Sequence, residues 1–285
     1  MTDYGALRAE WEGLLGRRSE LRGSLAFWTP ILDGWMQWRP AKLPALAWGP
    51  AQCRDRWERG VPLLAEAPPE IAREPLEDLL GPLIERLAVA GPDEMAALGS
   101  FAGAWDAGTA GPDDLFPSSG KDGASGWQER LGVPARLLAF LAHAGLRPAL
   151  EAYFAAVRGL PDGVWAGGGC PWCGGPPAYG DLIEEGRRRL SCHLCGGLWP
   201  AHGSRCPFCA GSQWGEAVRL LDGEMEEGYF MEGCPTCHGY LKGVDRRRRT
   251  AGSPVVEDWG SPHLDLHAAR QGYTRATPSL AHLVP

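Results

Sequence analysis

Eight of the nine cysteines fall within residues 170–237, as four Cys-x-x-Cys pairs, and no other feature limits the fold of this chain as tightly. The pairs are Cys170/Cys173, Cys192/Cys195, Cys206/Cys209 and Cys234/Cys237. A two-residue gap lets both sulfurs of a tight loop point at one ion, and two such loops complete a tetrahedron of thiolates. Eight ligands therefore make two sites. The spacer of 18 residues between Cys173 and Cys192 suits a ribbon-type site, and the 24 residues between Cys209 and Cys234 run slightly beyond the usual range.

Hairpin signals within those spacers favour sequential combination of the pairs. Residues 178–183 and the run to Leu190 flank a turn at Glu184–Gly186, and residues 214–221 and 227–231 flank Asp222-Gly223, a strong hairpin dipeptide. An interleaved combination, first pair with third and second with fourth, is the alternative. Modules this small rarely bury enough apolar surface to offset chain entropy, so a structural ion has to supply the difference. Such sites bind with roughly 10 to 16 kcal/mol near neutral pH, so losing one ion unfolds its module. Four sulfur ligands suit iron and zinc alike. The rival reading of one pair as a thioredoxin-like dithiol needs a strand–helix context and a single pair.

The first half reads differently. Apolar residues recur at helical spacing in Leu21, Leu25, Trp28, Leu32 and Trp35, and again in Leu76, Leu79, Leu80, Leu83 and Leu87. Prolines punctuate these runs, which predicts short helices and abrupt turns. The spacing predicts a stronger helix from Pro134 to about Val157, bent or split at Pro148. Residues 107–126, rich in Gly, Pro, Ser and Asp, read as a mobile loop. Composition shifts across Gly159–Gly169. The fold class is thus α+β and multidomain: an all-α N-terminal domain over 1–162, then two tandem small β modules of zinc-ribbon type over 163–200 and 201–285. Cys53 reads as a small buried hydrophobe, and most of the thirteen tryptophans as core.

Charge narrows the function. Residues 165–285 carry a net charge of −1 and the helical half −6, giving the total of −7. With two tetrathiolate sites holding divalent ions, the metal-binding part stands near about −5, a poor match to phosphate-rich nucleic acid. The arginine runs at 187–189 and 246–249 read as solvated faces, with acidic neighbours at Glu184, Glu185 and Asp245. A ribbon-type module binding nucleic acid, or another protein, is the competing class. The longest apolar stretch, 137–146, is too short to insert into a membrane, and Arg17-Arg18 lacks the apolar run of an export signal. The chain is read as cytoplasmic. Enzymatic chemistry has no visible seat, since no Ser-His-Asp order, phosphate-cradling glycine loop or His-Glu-x-x-His motif occurs.

The residues resemble the FdhE family of formate dehydrogenase accessory proteins. The likeness is carried by Cys170-Pro-x-Cys173-Gly with Pro176-Pro177, and by Cys192-x-x-Cys195 with Trp199 and Arg205 ahead of Cys206-x-x-Cys209. It continues through Cys234-x-x-Cys237-x-x-Tyr240-Leu241-Lys242, Leu264-Asp265-Leu266, Gly272-Tyr273 and Arg275, over about the last 120 residues. The resemblance implies rubredoxin-like modules on a helical domain, with the eight motif cysteines as ligands of two iron or zinc ions. It also implies a non-enzymatic, chaperone-like maturation factor acting on the catalytic subunit of a molybdenum- or tungsten-containing formate dehydrogenase before export. The concavity around the glycine-rich linker is the expected place for that client, and iron would permit one-electron transfer. Ala210 and His238 depart from the pattern, standing where a knuckle usually has a glycine of positive φ. His193 and His238 are expected to be bystanders to the metal.

Overall fold

The computed structural model describes residues 2–39, 45–87, 92–117, 132–161, 163–201, 205–212, 214, 218–219, 228–250 and 252–279. The first half holds helices Tyr4–Arg17, Arg22–Leu25, Thr29–Gln37, Pro50–Glu58, Arg73–Leu87, Pro92–Asp106 and Ala135–Tyr153. Prolines start rather than interrupt several elements: Pro30 and Pro50 occupy first-turn positions, where a missing N–H costs nothing. Asp3 caps the first helix, its carboxylate accepting from the Ala6 amide at 3.0 Å. The apolar rows face inward as the periodicity predicts, with Leu25, Trp28, Leu32, Trp35, Leu76, Leu79, Leu80 and Leu83 buried. Cys53 is buried among them.

Of the two outcomes expected at Pro148, a bend or a split, the split does not occur: Ala135–Tyr153 is one element. Proline at this position cannot donate to the carbonyl four residues earlier, which is that of Ala144. The Trp35 indole N–H fills the gap, donating to the Ala144 oxygen at 2.7 Å in the buried core. With the freed acceptor satisfied from another helix, the proline loses the part of its penalty that comes from an unpaired carbonyl. In the glycine-rich stretch expected to be mobile over 107–126, the 3-10 turn Pro112–Leu115 places Leu115 in the core, with Ala110 buried just ahead of it. Residues 118–131 lie outside the described residues.

Among the described residues the strands of the second half form one six-stranded sheet. Its strands are β1 (Tyr179–Leu182), β2 (Arg188–Ser191), β3 (Leu198–Pro200), β4 (Val218–Arg219), β5 (Tyr229–Gly233) and β6 (Tyr240–Asp245), in the order β3-β2-β1-β6-β5-β4. β1 and β2 form the expected hairpin around Glu184–Gly186. β4 and β5 pair antiparallel, while the Asp222-Gly223 turn between them lies outside the described residues. The two three-stranded units join through a parallel pairing of β1 with β6. Gly180 and Gly243 are partners at that join, and a Cβ on Gly243 would sit 2.1 Å from the Gly180 oxygen. Only glycine permits so close an approach. Among the described residues no helix is long and apolar enough to cross a membrane.

Two C-terminal helices, Pro254–Trp259 and Pro262–Arg270, tie the sheet back to the helical half. Trp259 stacks on Trp28 with ring centroids 4.1 Å apart, and Glu10 accepts from the Ser253 amide at 2.6 Å. These helices bring Asp258 and Asp265 into a fully buried charge network. Arg275 spans both carboxylates, at 2.6 Å to Asp258 and 2.7 Å to Asp265. Lys242 on β6 lies 2.8 Å from Asp265 and 3.1 Å from Asp258, and His193 Nε2 lies 2.8 Å from Asp258. Two anions thus face two cations.

Burial raises the Asp258 carboxyl, but Arg275, Lys242 and His193 outweigh it and hold it well below the usual carboxylate range. A depressed folded value places this stabilisation above the unfolded pKa, about 4, with loss on acidification. Replacing Asp258 by Asn leaves buried Arg275 and Lys242 with Asp265 as their one shared carboxylate, and the expected loss is about 3 to 5 kcal/mol in urea unfolding at pH 7. A loss under about 1 kcal/mol would mean that the network is not a clasp.

Candidate metal centres

Each Cys-x-x-Cys pair closes a loop of the same construction. The amide four residues after the first cysteine donates back to that cysteine's carbonyl, for Gly174, Gly196, Ala210 and His238, at 2.8 to 3.0 Å. The first cysteine's own amide donates to the carbonyl of Gly175, Gly197, Gly211 or Gly239, at 2.8 to 2.9 Å. All four closing residues are left-handed, with φ of 79° and 68° at Gly174 and Gly196, and 58° and 55° at Ala210 and His238. Ala210 and His238 therefore follow the same backbone path as the glycines, against the preference of L residues. The glycine after each closing residue is a feature that motif reading missed. A Cβ there would lie 3.3 Å from a ligand sulfur in three of the loops and 3.5 Å in the first.

The loops combine sequentially. Cys170, Cys173, Cys192 and Cys195 bring their sulfurs within 4.8 Å of one another, as do Cys206, Cys209, Cys234 and Cys237. Across the loops, Sγ–Sγ distances are 3.5 Å for Cys170–Cys195 and Cys173–Cys192, 3.8 Å for Cys206–Cys237 and 3.9 Å for Cys209–Cys234. A regular tetrahedron with metal–sulfur bonds of about 2.3 Å has edges of about 3.8 Å. The donor set fits a metal ion at both places. Neither His193 nor His238 belongs to a group: His193 turns to Asp258, and the His238 ring faces Tyr273 at 5.5 Å.

The two sites differ in surroundings. In the first, all four cysteines are buried. Burial pushes the Cys170 and Cys173 thiols well up. It raises Cys195 too, yet hydrogen bonds from the three other thiols and the nearby Arg158 drive that group well below an ordinary thiol. A bound cation reverses the burial penalty by replacing the protons. In the second site Cys209 is exposed and Cys237 half-buried. Burial still lifts Cys206 to about 12, whereas amides of Cys237 and Thr236 outweigh burial at Cys234 and bring it to about 7. The Phe208 and Gly239 amides each donate to a ligand sulfur, on Cys206 and Cys237, at 3.4 Å.

The helical half grips the first site directly. Trp57 donates its indole N–H to the Pro171 carbonyl at 2.9 Å, and the Leu63 and Leu64 amides reach Pro171 and Trp172 at 3.1 and 2.8 Å. Over the partner loop, Arg147 donates to the His193 carbonyl at 2.9 Å and Arg158 to the Cys195 carbonyl at 2.6 Å. Two guanidiniums thus stand beside a cluster whose net charge with a divalent ion would be about −2, and Arg147 also pairs with buried Glu151 at 2.9 Å. Both arginines lie on or just after an apolar helix, and nothing in their spacing marks them out.

Most of the arginine-run side chains are engaged within the sheet. Arg189 and Arg246 converge on buried Asp181 at 2.6 and 3.0 Å, Arg188 pairs with Glu232 at 2.6 Å, and Arg247 forks onto Asp245. Arg249 lies over the Tyr229 ring.

The fold thus sets two four-cysteine groups, each able to hold a metal ion, on a shared sheet, with a helical half clasping one of them. Residues 205–281 match the family model described as FdhE, C-terminal domain. Two proteins described as FdhE homologues align with this chain, at 34% identity over 118 residues in Pseudomonas aeruginosa and 33% over 115 in Stutzerimonas stutzeri. Each of these alignments covers 39% of this chain, and they span 38% and 37% of the respective relatives. An Aquifex aeolicus FdhE homologue matches at 27% over 149 residues, 50% of this chain and 52% of its own length. The crystal structure of the FdhE protein from Pseudomonas aeruginosa shares the fold, with a TM-score of 0.53, 24% identity, and coverage of 92% of this chain and 88% of that one. The likeness to the FdhE family read from the motifs is thereby shown.

The strain at the third loop is directly testable. Ala210→Gly removes a left-handed L residue without touching a ligand, and the expected gain is about 1 kcal/mol in denaturant unfolding of the metal-loaded protein. A loss of stability would show that Ala210 contributes packing that outweighs its backbone strain.

Proposed function

We propose that this chain is an accessory protein required for formate dehydrogenase activity, acting on the catalytic subunit in the cytoplasm during maturation and before export. The catalytic subunit of a molybdenum- or tungsten-containing formate dehydrogenase is its client. The chain itself catalyses nothing in this reading: it folds a helical part, residues 1–162, and two small modules, 163–200 and 201–285, into a platform that holds the client. The observation that carries the reading is the pair of four-cysteine groups set on one sheet, one clasped by the helical half and one presented at the surface. The likeness to FdhE proteins supports a link to formate dehydrogenase, and the choice of its catalytic subunit as client is part of the proposal. The ion pairs that occupy Arg188, Arg189, Arg246 and Arg247 weigh against a nucleic-acid surface.

The eight cysteines hold two metal ions in this proposal. Bound iron would add one-electron chemistry, and bound zinc would add rigidity alone. The residues do the rest: Arg147 and Arg158 offset the thiolate charge, the Trp57 and Trp172 indoles fix the first loop, and Cys209 stays open to a partner.

In a deletion strain complemented with Cys170→Ser/Cys173→Ser or with Cys234→Ser/Cys237→Ser, formate dehydrogenase activity is expected to fall by on the order of tenfold or more. Full rescue by both double variants would overturn the reading.

A further inference from the structure

A cavity of about 460 Å³ opens beside the second metal centre, between the third cysteine loop and the glycine-rich linker. Its size is that of a pocket for a ligand or a short peptide segment. The walls include Leu182, Leu190 and Trp214, while Arg187, Arg188 and Arg205 supply the charge. Among the described residues no carboxylate lines it, although the chain carries a net charge of −7. Arg188 is already matched by Glu232 at 2.6 Å. Arg187 is largely exposed, with its acidic neighbour Glu185 no closer than 3.9 Å, and Arg205 makes no ion pair among the described residues. Two guanidiniums at the opening are therefore left with little or no compensation from the described residues.

The linker adds a backbone edge. Ala166 and Gly167 are exposed at the cavity, and their amides and carbonyls make no hydrogen bond among the described residues. Gly168 packs so tightly on the third loop that a Cβ would lie 2.4 Å from the Pro207 oxygen, which fixes this edge against the Cys206 loop. An extended chain can pair with such an edge while its alternate side chains enter the cavity. A small anion would use the guanidiniums but neither the apolar wall nor the open main-chain groups.

We infer that this cavity is a docking site for an extended acidic peptide segment with apolar side chains, supplied by the client protein. The inference rests on the proposed function for the source of the segment, and on charge complementarity for its chemistry. Arg187 and Arg205 bind the carboxylates, the leucines and Trp214 take the apolar side chain, and residues 166–167 hold the main chain. The second metal centre, through Cys206 and Pro207, keeps one wall of the cavity in place.

The test uses the full metal-loaded chain and an array of overlapping twelve-residue peptides tiling the formate dehydrogenase catalytic subunit of the same genome. A second array carries the same peptides with every Asp and Glu replaced by Asn and Gln. The wild-type chain is expected to retain a subset of acidic, leucine-containing peptides, to ignore their amide counterparts, and to bind more weakly as salt is raised. Arg187→Glu/Arg205→Glu is expected to lose about tenfold or more in affinity with its metal content and unfolding midpoint unchanged. Equal binding by the double variant, retention of the amide peptides, no retained peptide, or displacement by millimolar inorganic phosphate alone would each overturn the site.

Capture of the intact catalytic subunit separates this inference from the proposed function. Equal capture by wild type and double variant would reject the cavity and leave the client standing. Charge-dependent binding of acidic peptides tiled from unrelated proteins, with no capture of the catalytic subunit, would keep the cavity and reject the client.

Discussion

Four sulfurs that converge within 4.8 Å in a buried setting are the constraint on which the rest of the structure depends. Burial favours neutral thiols, and four thiolates without a cation would repel one another in a low-dielectric interior. A divalent ion resolves both problems at once, and the surrounding protein is arranged for the small negative charge that is left. Arg147 and Arg158 approach the second loop from the helical half, while Trp57, Leu63 and Leu64 hold the first loop by its carbonyls. The first centre is therefore a joint between two halves of the chain. Its loops are also wired through His193 to Asp258, and from there through Arg275 and Lys242 to the C-terminal segment and β6.

The second centre repeats the loop construction without that enclosure. Its cysteines range from buried to exposed, two of its closing residues sit in a conformation better suited to glycine, and a cationic cavity adjoins it. The same ligand chemistry thus serves two ends: one centre locks the fold, and the other shapes a surface. Parallel pairing of β1 with β6 makes the two centres parts of one rigid sheet, so a partner held at the second is positioned relative to the helical half.

The cysteine spacing and the Glu184–Gly186 turn made the ligand groups and the first hairpin legible, because ligand geometry and tight turns act over a few residues. The burial rows of Leu25–Trp35 and Leu76–Leu83 were legible for the same reason. Local rules failed where distant residues decide. Pro148 stays inside a helix because Trp35, more than a hundred residues away, takes the carbonyl it frees. The arginine runs read as solvated faces, yet three of their members turn inward to Asp181 and Glu232 on neighbouring strands. Arg147, Arg158 and the Asp258 network carry no motif, since their partners are brought together only by the long-range join of the two halves.

The most direct test follows metal content by native mass spectrometry during stepwise chelation, with near-ultraviolet circular dichroism of the buried tryptophans recorded in parallel. The first ion to leave should come from the exposed second centre and cost only the part of the signal owed to Trp214, which packs on Phe208 of that centre's loop, and departure of the ion from the buried first centre should abolish the rest cooperatively. Loss of most of the tryptophan signal with the first ion, or retention of it after both ions have gone, would contradict the division between a locking centre and a presented one.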